Sequence, residues 1–339
     1  MRYFIRFSYC GTDFHGSQMQ AEGVPTVQAE MEKALFTLFR IRVPVSFAGR
    51  TDTGVHATEM YAHISSPIPL PYSSLADKLN ALMSDAVHVS DVFPVPESLH
   101  ARFSALSRTY KYYITTTADP FRRKGVTVVP RGLDFDAMNR AARLLLGRHD
   151  FASFCKTEHD SKTTTCTVMH AKWEVSYPAK PKNQYAHVPK DGECTAVFTI
   201  KANRFLRNMV RAVVGTLFDV GRGKITIEQF QEIIDAQQRT AAGASAPAEG
   251  LYLVSIEYPP FTLDHVHKRR SPFRHLRRRV RKFFRWRLPR AMRMTRYWIR
   301  ENIFRLPPLH AHGPAADAPC AATETGYVAP RSAAIDPDS

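Results

Sequence analysis

The chain has 339 residues, 44% hydrophobic and 11% aromatic, enough for two compact domains with a sizeable core. No apolar run approaches the ~18 residues of a membrane span, and five scattered cysteines without a Cys-x-x-Cys pair argue against a disulfide framework or a cysteine zinc site. The net charge of +16 is local: Lys268 to Arg305 holds 16 basic residues against one acid, Glu301, and the residues before it carry only about +4.

In chain order, Arg2 to Tyr9 alternates like a strand. It lacks the basic start, apolar stretch and cleavage site of a signal peptide, so a cytoplasmic protein is expected. Thr26 can cap a helix carrying Val27, Met31, Leu35 and Leu38 at helical spacing. Val43 to Phe47 is a short apolar strand, and Tyr72 to Leu82 fits a second helix. Ser107 to Thr115 is aromatic and β-branched, a strand with Tyr110, Tyr112 and Ile114 on one face. Asp134 can cap a helix through Leu146, with Gly147 as its stop. Val168 to Tyr177 and Thr195 to Lys201 are strand candidates, separated by a loop from Pro178 to Gly192. Phe205 to Val220 has helical spacing, Thr226 to Gln229 is a capping box opening a helix through Ala236, and Leu251 to Tyr258 is a last strand.

Pro259-Pro260 ends this α+β body. Beyond it Phe273, Leu276, Val280, Phe283 and Phe284 recur at helical spacing among arginines, a basic amphipathic helix up to about Pro289. Four regions follow: an N-terminal α+β domain over 1–105, a second over 106–262, a basic extension over 263–305 and an Ala/Pro-rich disordered tail over 306–339.

Chemistry concentrates at Gly49-Arg50-Thr51-Asp52-Thr53-Gly54-Val55-His56-Ala57, a polar loop bracketed by glycines after a predicted strand. A nucleophilic Asp must be ionised, and the guanidinium of Arg50 nearby favours the charged form. By local physics alone, a polar turn with a solvated Asp is the plainer reading. Asn208, Arg211 and Gly215 share one helical face, from which an Arg can grip a carboxylate. A surface Arg is the plainer alternative there, as a core aromatic is for Tyr112.

The loop resembles, at every fixed position, the signature G-R-T-D-x-G-V-H of the TruA family of pseudouridine synthases. Further segments resemble the same family in order: Tyr9 to Gln18, His100 to Ala105, Arg108 to Tyr112, Gly147 to Phe154, Asn208 to Gly215 and Ala248 to Leu253. Two positions depart from it, Cys10 for the usual Asp and Ser17 for the usual Trp, the latter expected to cost local packing rather than chemistry. The resemblance spans residues 1 to about 262.

What it implies is a pseudouridine synthase fold: two α+β halves on a mixed, mainly antiparallel central sheet with flanking helices and an active-site cleft between the halves. It implies isomerisation of uridine in the anticodon stem-loop of tRNA by a homodimer. Asp52 is the implied catalytic nucleophile and Arg211 its ion-pair partner. Tyr110 would stack on the uracil, Arg50 would hold the flipped nucleotide, and Leu251 would wall the base. His56 is read as structural. The rearrangement needs no cofactor or metal, and the chain has no Walker loop, G-x-G-x-x-G or His-Glu-x-x-His. The rival readings are an inactive tRNA-binding protein on the same scaffold and an N-glycosidic hydrolase. For the basic extension three readings stay open: an RNA-contacting arm, attachment to an anionic membrane surface, or a solvated segment without a partner.

Overall fold

The structure, a computed structural model, describes residues 1–156, 163–178 and 192–261. The predicted basic helix, the tail after it and nearly all of the loop from Pro178 to Gly192 lie outside the described residues.

The first half runs β1 (Arg2–Tyr9), α1 (Val27–Phe39), β2 (Ser46–Phe47), β3 (His56–Ser65), α2 (Leu75–Asn80) and β4 (Val87–Val95). The second runs β5 (Ser107–Thr115), β6 (Thr127–Val128), α3 (Phe135–Arg143), β7 (Gly147–Asp150), β8 (Thr165–Ser176), β9 (Thr195–Ala202), α4 (Met209–Gly221), α5 (Ile227–Ala236) and β10 (Leu251–Glu257). Among the described residues the strands form one sheet in the order β4-β1-β3-β10-β5-β9-β8-β7, with β2 on β3 and β6 on β5. Its ladders are antiparallel except β10 on β3 and β6 on β5. The fold is thus α+β with a mixed, mainly antiparallel sheet.

The last strand is the seam. Tyr252 and Leu253 pair with His56 and Ala57 of β3 on one side, and Leu253 pairs with Tyr110 of β5 on the other. The loop before β3, the middle of β5 and the start of β10 are thereby neighbours, although they are far apart in the chain. One apolar core runs under both halves, from Phe4, Met31 and Met60 to Tyr112, Trp173, Leu217 and Phe230, all 2% exposed or less. Burying each such side chain stabilises the fold by roughly 1.5–3 kcal/mol.

Local signals set the helix starts. The Thr26 hydroxyl accepts the Ala29 N–H at 3.2 Å, the Asp134 carboxylate accepts that of Ala137 at 2.8 Å, and Thr226 and Gln229 form the reciprocal box. Other boundaries moved. The helix expected from Phe205 begins at Met209, because Asn208 adopts φ of +66°, a left-handed value incompatible with a continuing helical turn. The helix after Asp134 stops at Arg143, and Gly147, at φ +97°, opens β7 instead. The helix expected over Tyr72 to Leu82 is a 3-10 turn followed by the short α2. Strands β3 and β4 give weak local signals. The first is buried on parts of both faces, so its pattern does not alternate, and the second carries Pro94, tolerated because β4 is an edge strand. Among the described residues no helix is long and apolar enough to cross a membrane.

Candidate active site

Asp52 lies in the irregular link between β2 and β3. The Val55 N–H donates to the Asp52 carbonyl at 3.1 Å, closing a turn in which Gly54 has φ of +78°, a value that favours glycine. The residue before Asp52 is its anchor. The Thr51 hydroxyl meets the Tyr9 hydroxyl at 2.7 Å, its N–H donates to Ser17 Oγ at 2.9 Å, and its carbonyl accepts the Ser17 N–H at 3.2 Å. Ser17 is fully buried and its carbonyl accepts the Gln28 N–H of α1 at 3.0 Å. Sequence alone treats Ser17 as lost packing; in place it supplies the acceptor that fixes the backbone beside Asp52.

The loop is braced from the second half too. The Arg108 guanidinium, on β5, donates to the carbonyls of Ala48 at 2.9 Å, Arg102 at 2.7 Å and Asn203 at 3.1 Å. His56 is 3% exposed, accepts the Gly11 N–H on Nδ1 at 3.1 Å and stacks on Tyr252 with centroids 4.5 Å apart. Burial lowers its pKa, which fits a neutral prop.

Arg211 projects from α4, whose other residues are nearly all buried. A second clamp aims it. Arg211 Nε donates to the Ala246 carbonyl at 2.8 Å, and the Ala246 N–H returns to the Arg211 carbonyl at 2.9 Å. Asn208 Nδ2 donates to Ser245 Oγ at 2.6 Å, and the Tyr112 hydroxyl donates to the Pro247 carbonyl at 2.8 Å. This close approach requires Gly215, since a Cβ there would collide with the Ala244 carbonyl. With Nε so engaged, Arg211 Nη1 lies 3.7 Å from Asp52 Oδ2, ion-pair distance but longer than a hydrogen bond. The two side chains are 23% and 29% exposed, so the pair is open to a ligand.

Tyr110 is 8% exposed, packed edge-on against Phe205 at 5.0 Å. Burial pushes its pKa up to about 12; the Arg108 charge opposes this and the Asp52 carboxylate adds to it, which places the phenol in the field of that carboxylate. Leu251 is 5% exposed at the start of β10, opposite Tyr112. Arg50 is exposed. The structure therefore brings Asp52, Arg211 and Tyr110 together, with Leu251 two residues along from the partner of Tyr110. What sequence reasoning missed is the support: Ser17, Arg108 as a strut, and the 243–247 segment, whose small residues carry no motif of chemistry.

A model of the tRNA pseudouridine synthase family matches residues 141–259. A Bacteroides thetaiotaomicron protein named tRNA pseudouridine synthase A is 48% identical over 259 residues, covering 76% of this chain and 91% of that one. Its namesake from Parabacteroides distasonis is 46% identical, with 76% and 96% covered. The Bacillus subtilis protein of the same name is 36% identical over 262 residues, with 76% and 99% covered.

Proposed function

We propose a mechanism from one premise: this chain belongs to the tRNA pseudouridine synthase A family. It is an isomerase that forms pseudouridine in tRNA. The reaction breaks the N1–C1′ bond of uridine, turns the uracil and joins C5 to C1′, with a proton leaving C5 and one arriving at N1. No group is gained or lost. The target uridine must leave its stack to reach the site, and we assign it to the anticodon stem-loop.

The observation that carries the reading is the Asp52–Arg211 pair beside Tyr110. Asp52 is the catalytic carboxylate acting on the ribosyl–uracil unit. Arg211 pairs with it and aims it, and the 3.7 Å spacing leaves its oxygens available to substrate. Tyr110 stacks on the extruded uracil. With a pKa of about 12 its phenol keeps its proton at neutral pH, so in taking the proton from C5 the hydroxyl passes its own to the Asp52 carboxylate, in whose field it lies. Arg50 holds the nucleotide out of its helix, and Leu251 forms the apolar wall for the base. The protein works in the cytoplasm, as a homodimer that gathers basic surface from two modest bodies.

The test is C5-tritium release from labelled anticodon stem-loop RNA with analysis of the product. Pseudouridine supports the reading, while free uracil indicates the hydrolase and RNA binding without release the inactive scaffold. The basic extension, 263–305, is an RNA-contacting arm on this reading, since its arginines suit phosphates and Phe283, Phe284 and Trp286 suit bases. Removing residues 264–339 is expected to weaken tRNA binding and flatten its salt dependence; an unchanged slope discards the arm.

A further inference from the structure

Phe103 is 77% exposed, yet it stands on a turn held by side-chain and backbone hydrogen bonds. His100 Nδ1 accepts the N–H groups of Arg102 at 3.1 Å and Phe103 at 3.3 Å. Ser104 and His100 exchange two more bonds, Ser104 N–H to the His100 carbonyl at 2.9 Å and His100 N–H to Ser104 Oγ at 2.9 Å. Ala101 is bonded at both ends, its N–H to His63 Nδ1 at 3.3 Å and its carbonyl from the Tyr258 hydroxyl at 2.6 Å. The His100 ring backs Phe103 at a centroid distance of 4.5 Å. A single exposed ring is ordinary by itself; what sets Phe103 apart is the hydrogen-bonded turn that presents it.

The turn is also coupled to the catalytic loop. The same Arg108 guanidinium that holds the Arg102 carbonyl holds that of Ala48, four residues before Asp52. The surroundings are cationic. Arg102 lies 5.6 Å from the Phe103 ring, and burial first, then the like charges of Arg102 and Arg204, depress the pKa of Arg108. A rigid aromatic face among guanidinium groups, fixed relative to the active carboxylate, suits an unstacked base with its phosphate.

We propose that Phe103 is a stacking platform for a tRNA base adjacent to the extruded uridine, with Arg102 at the neighbouring phosphate. This rests on the reading of the chain as a tRNA pseudouridine synthase and names how the same site grips its substrate. The platform holds RNA and does not take part in bond making.

The experiment measures anticodon stem-loop RNA binding and tritium release for the full chain and three variants. Phe103→Ala is expected to raise Kd and KM roughly tenfold, the range of lost base stacking, with kcat within about twofold, the split of a purely binding contact. Phe103→Leu keeps apolar bulk without an aromatic face and is expected to match Phe103→Ala, whereas Phe103→Trp retains affinity. Unchanged affinity in Phe103→Ala, or wild-type affinity in Phe103→Leu, overturns the platform. So does a change of molecular mass by light scattering in Phe103→Ala, which would assign the ring to contact with a second copy of the chain. If wild-type protein itself forms no pseudouridine, the functional reading fails instead.

Discussion

The Asp52 loop and helix α4 meet at the site but are built in opposite ways. The loop has no regular structure of its own and is held by bonds from outside it: Tyr9 and Ser17 on Thr51, and Arg108 on Ala48. Helix α4 is regular, buried over most of its surface, and clamped through Arg211 and Asn208 to the 243–247 segment. Between two firm supports lies a contact that is neither short nor buried, the 3.7 Å approach of Arg211 to Asp52. The lesson is that the loop is ordered one residue away from its carboxylate, at Thr51, while Arg211 is itself clamped. The backbone beside Asp52 is held by hydrogen bonds while its carboxylate meets Arg211 at ion-pair distance, an arrangement of the kind preorganised sites use.

The sharpest break in the comparison is at its centre. Asp52→Ala is expected to lower turnover by roughly 10⁴-fold or more, the scale of losing a nucleophile, with RNA binding retained. Near-normal tritium release from that variant would remove Asp52 from the chemistry. On the helix side, Arg211→Met is expected to cost roughly 10²–10³-fold in kcat, the scale for one electrostatic partner. Arg211→Lys should recover only part, because Lys cannot keep both the Ala246 carbonyl and the carboxylate in a planar fork. Equal kcat for the two would show that charge alone matters.

The supports give smaller effects. Gly215→Ala drives a methyl into the Ala244 carbonyl and is expected to destabilise the fold by about 1–3 kcal/mol, read as a lower Tm, with kcat falling as the Arg211 clamp shifts. Ser17→Ala leaves the buried Thr51 N–H without its acceptor, at a cost of about 1–3 kcal/mol held mostly in the loop. Its mark is a kcat loss at unchanged KM that Ser17→Thr partly restores. If Ser17→Ala lowered Tm alone, the anchor would be merely structural.

Much of this was legible locally. Thr26, Asp134 and Thr226 marked helix starts because a capping side chain bonds within three residues of itself. Tyr110, Tyr112 and Ile114 fell on one buried face because strand side chains alternate. The Asp52 loop stood out by its match to a family signature rather than by local physics, which favoured a plain polar turn. Strands β3 and β4 did not, since burial on two faces and an edge proline erase alternation. Phe205 was taken for a helical residue by spacing, yet it sits ahead of α4 and packs on Tyr110.

The amino-acid sequence by itself determined the helix caps at Thr26, Asp134 and Thr226, because those depend on contacts a few residues apart, and its motifs carried the family resemblance that singles out Asp52, Arg211 and Tyr110. Only the tertiary structure decided that Arg211 and Asp52 share a site, that Ser17 secures Thr51, and that one Arg108 side chain ties the Phe103 turn to the Asp52 loop. The bonds that reach the Asp52 loop join residues 34 to 159 positions apart. Those between the halves exist because β10 closes the sheet between β3 and β5, and no local pattern encodes where a distant strand will dock.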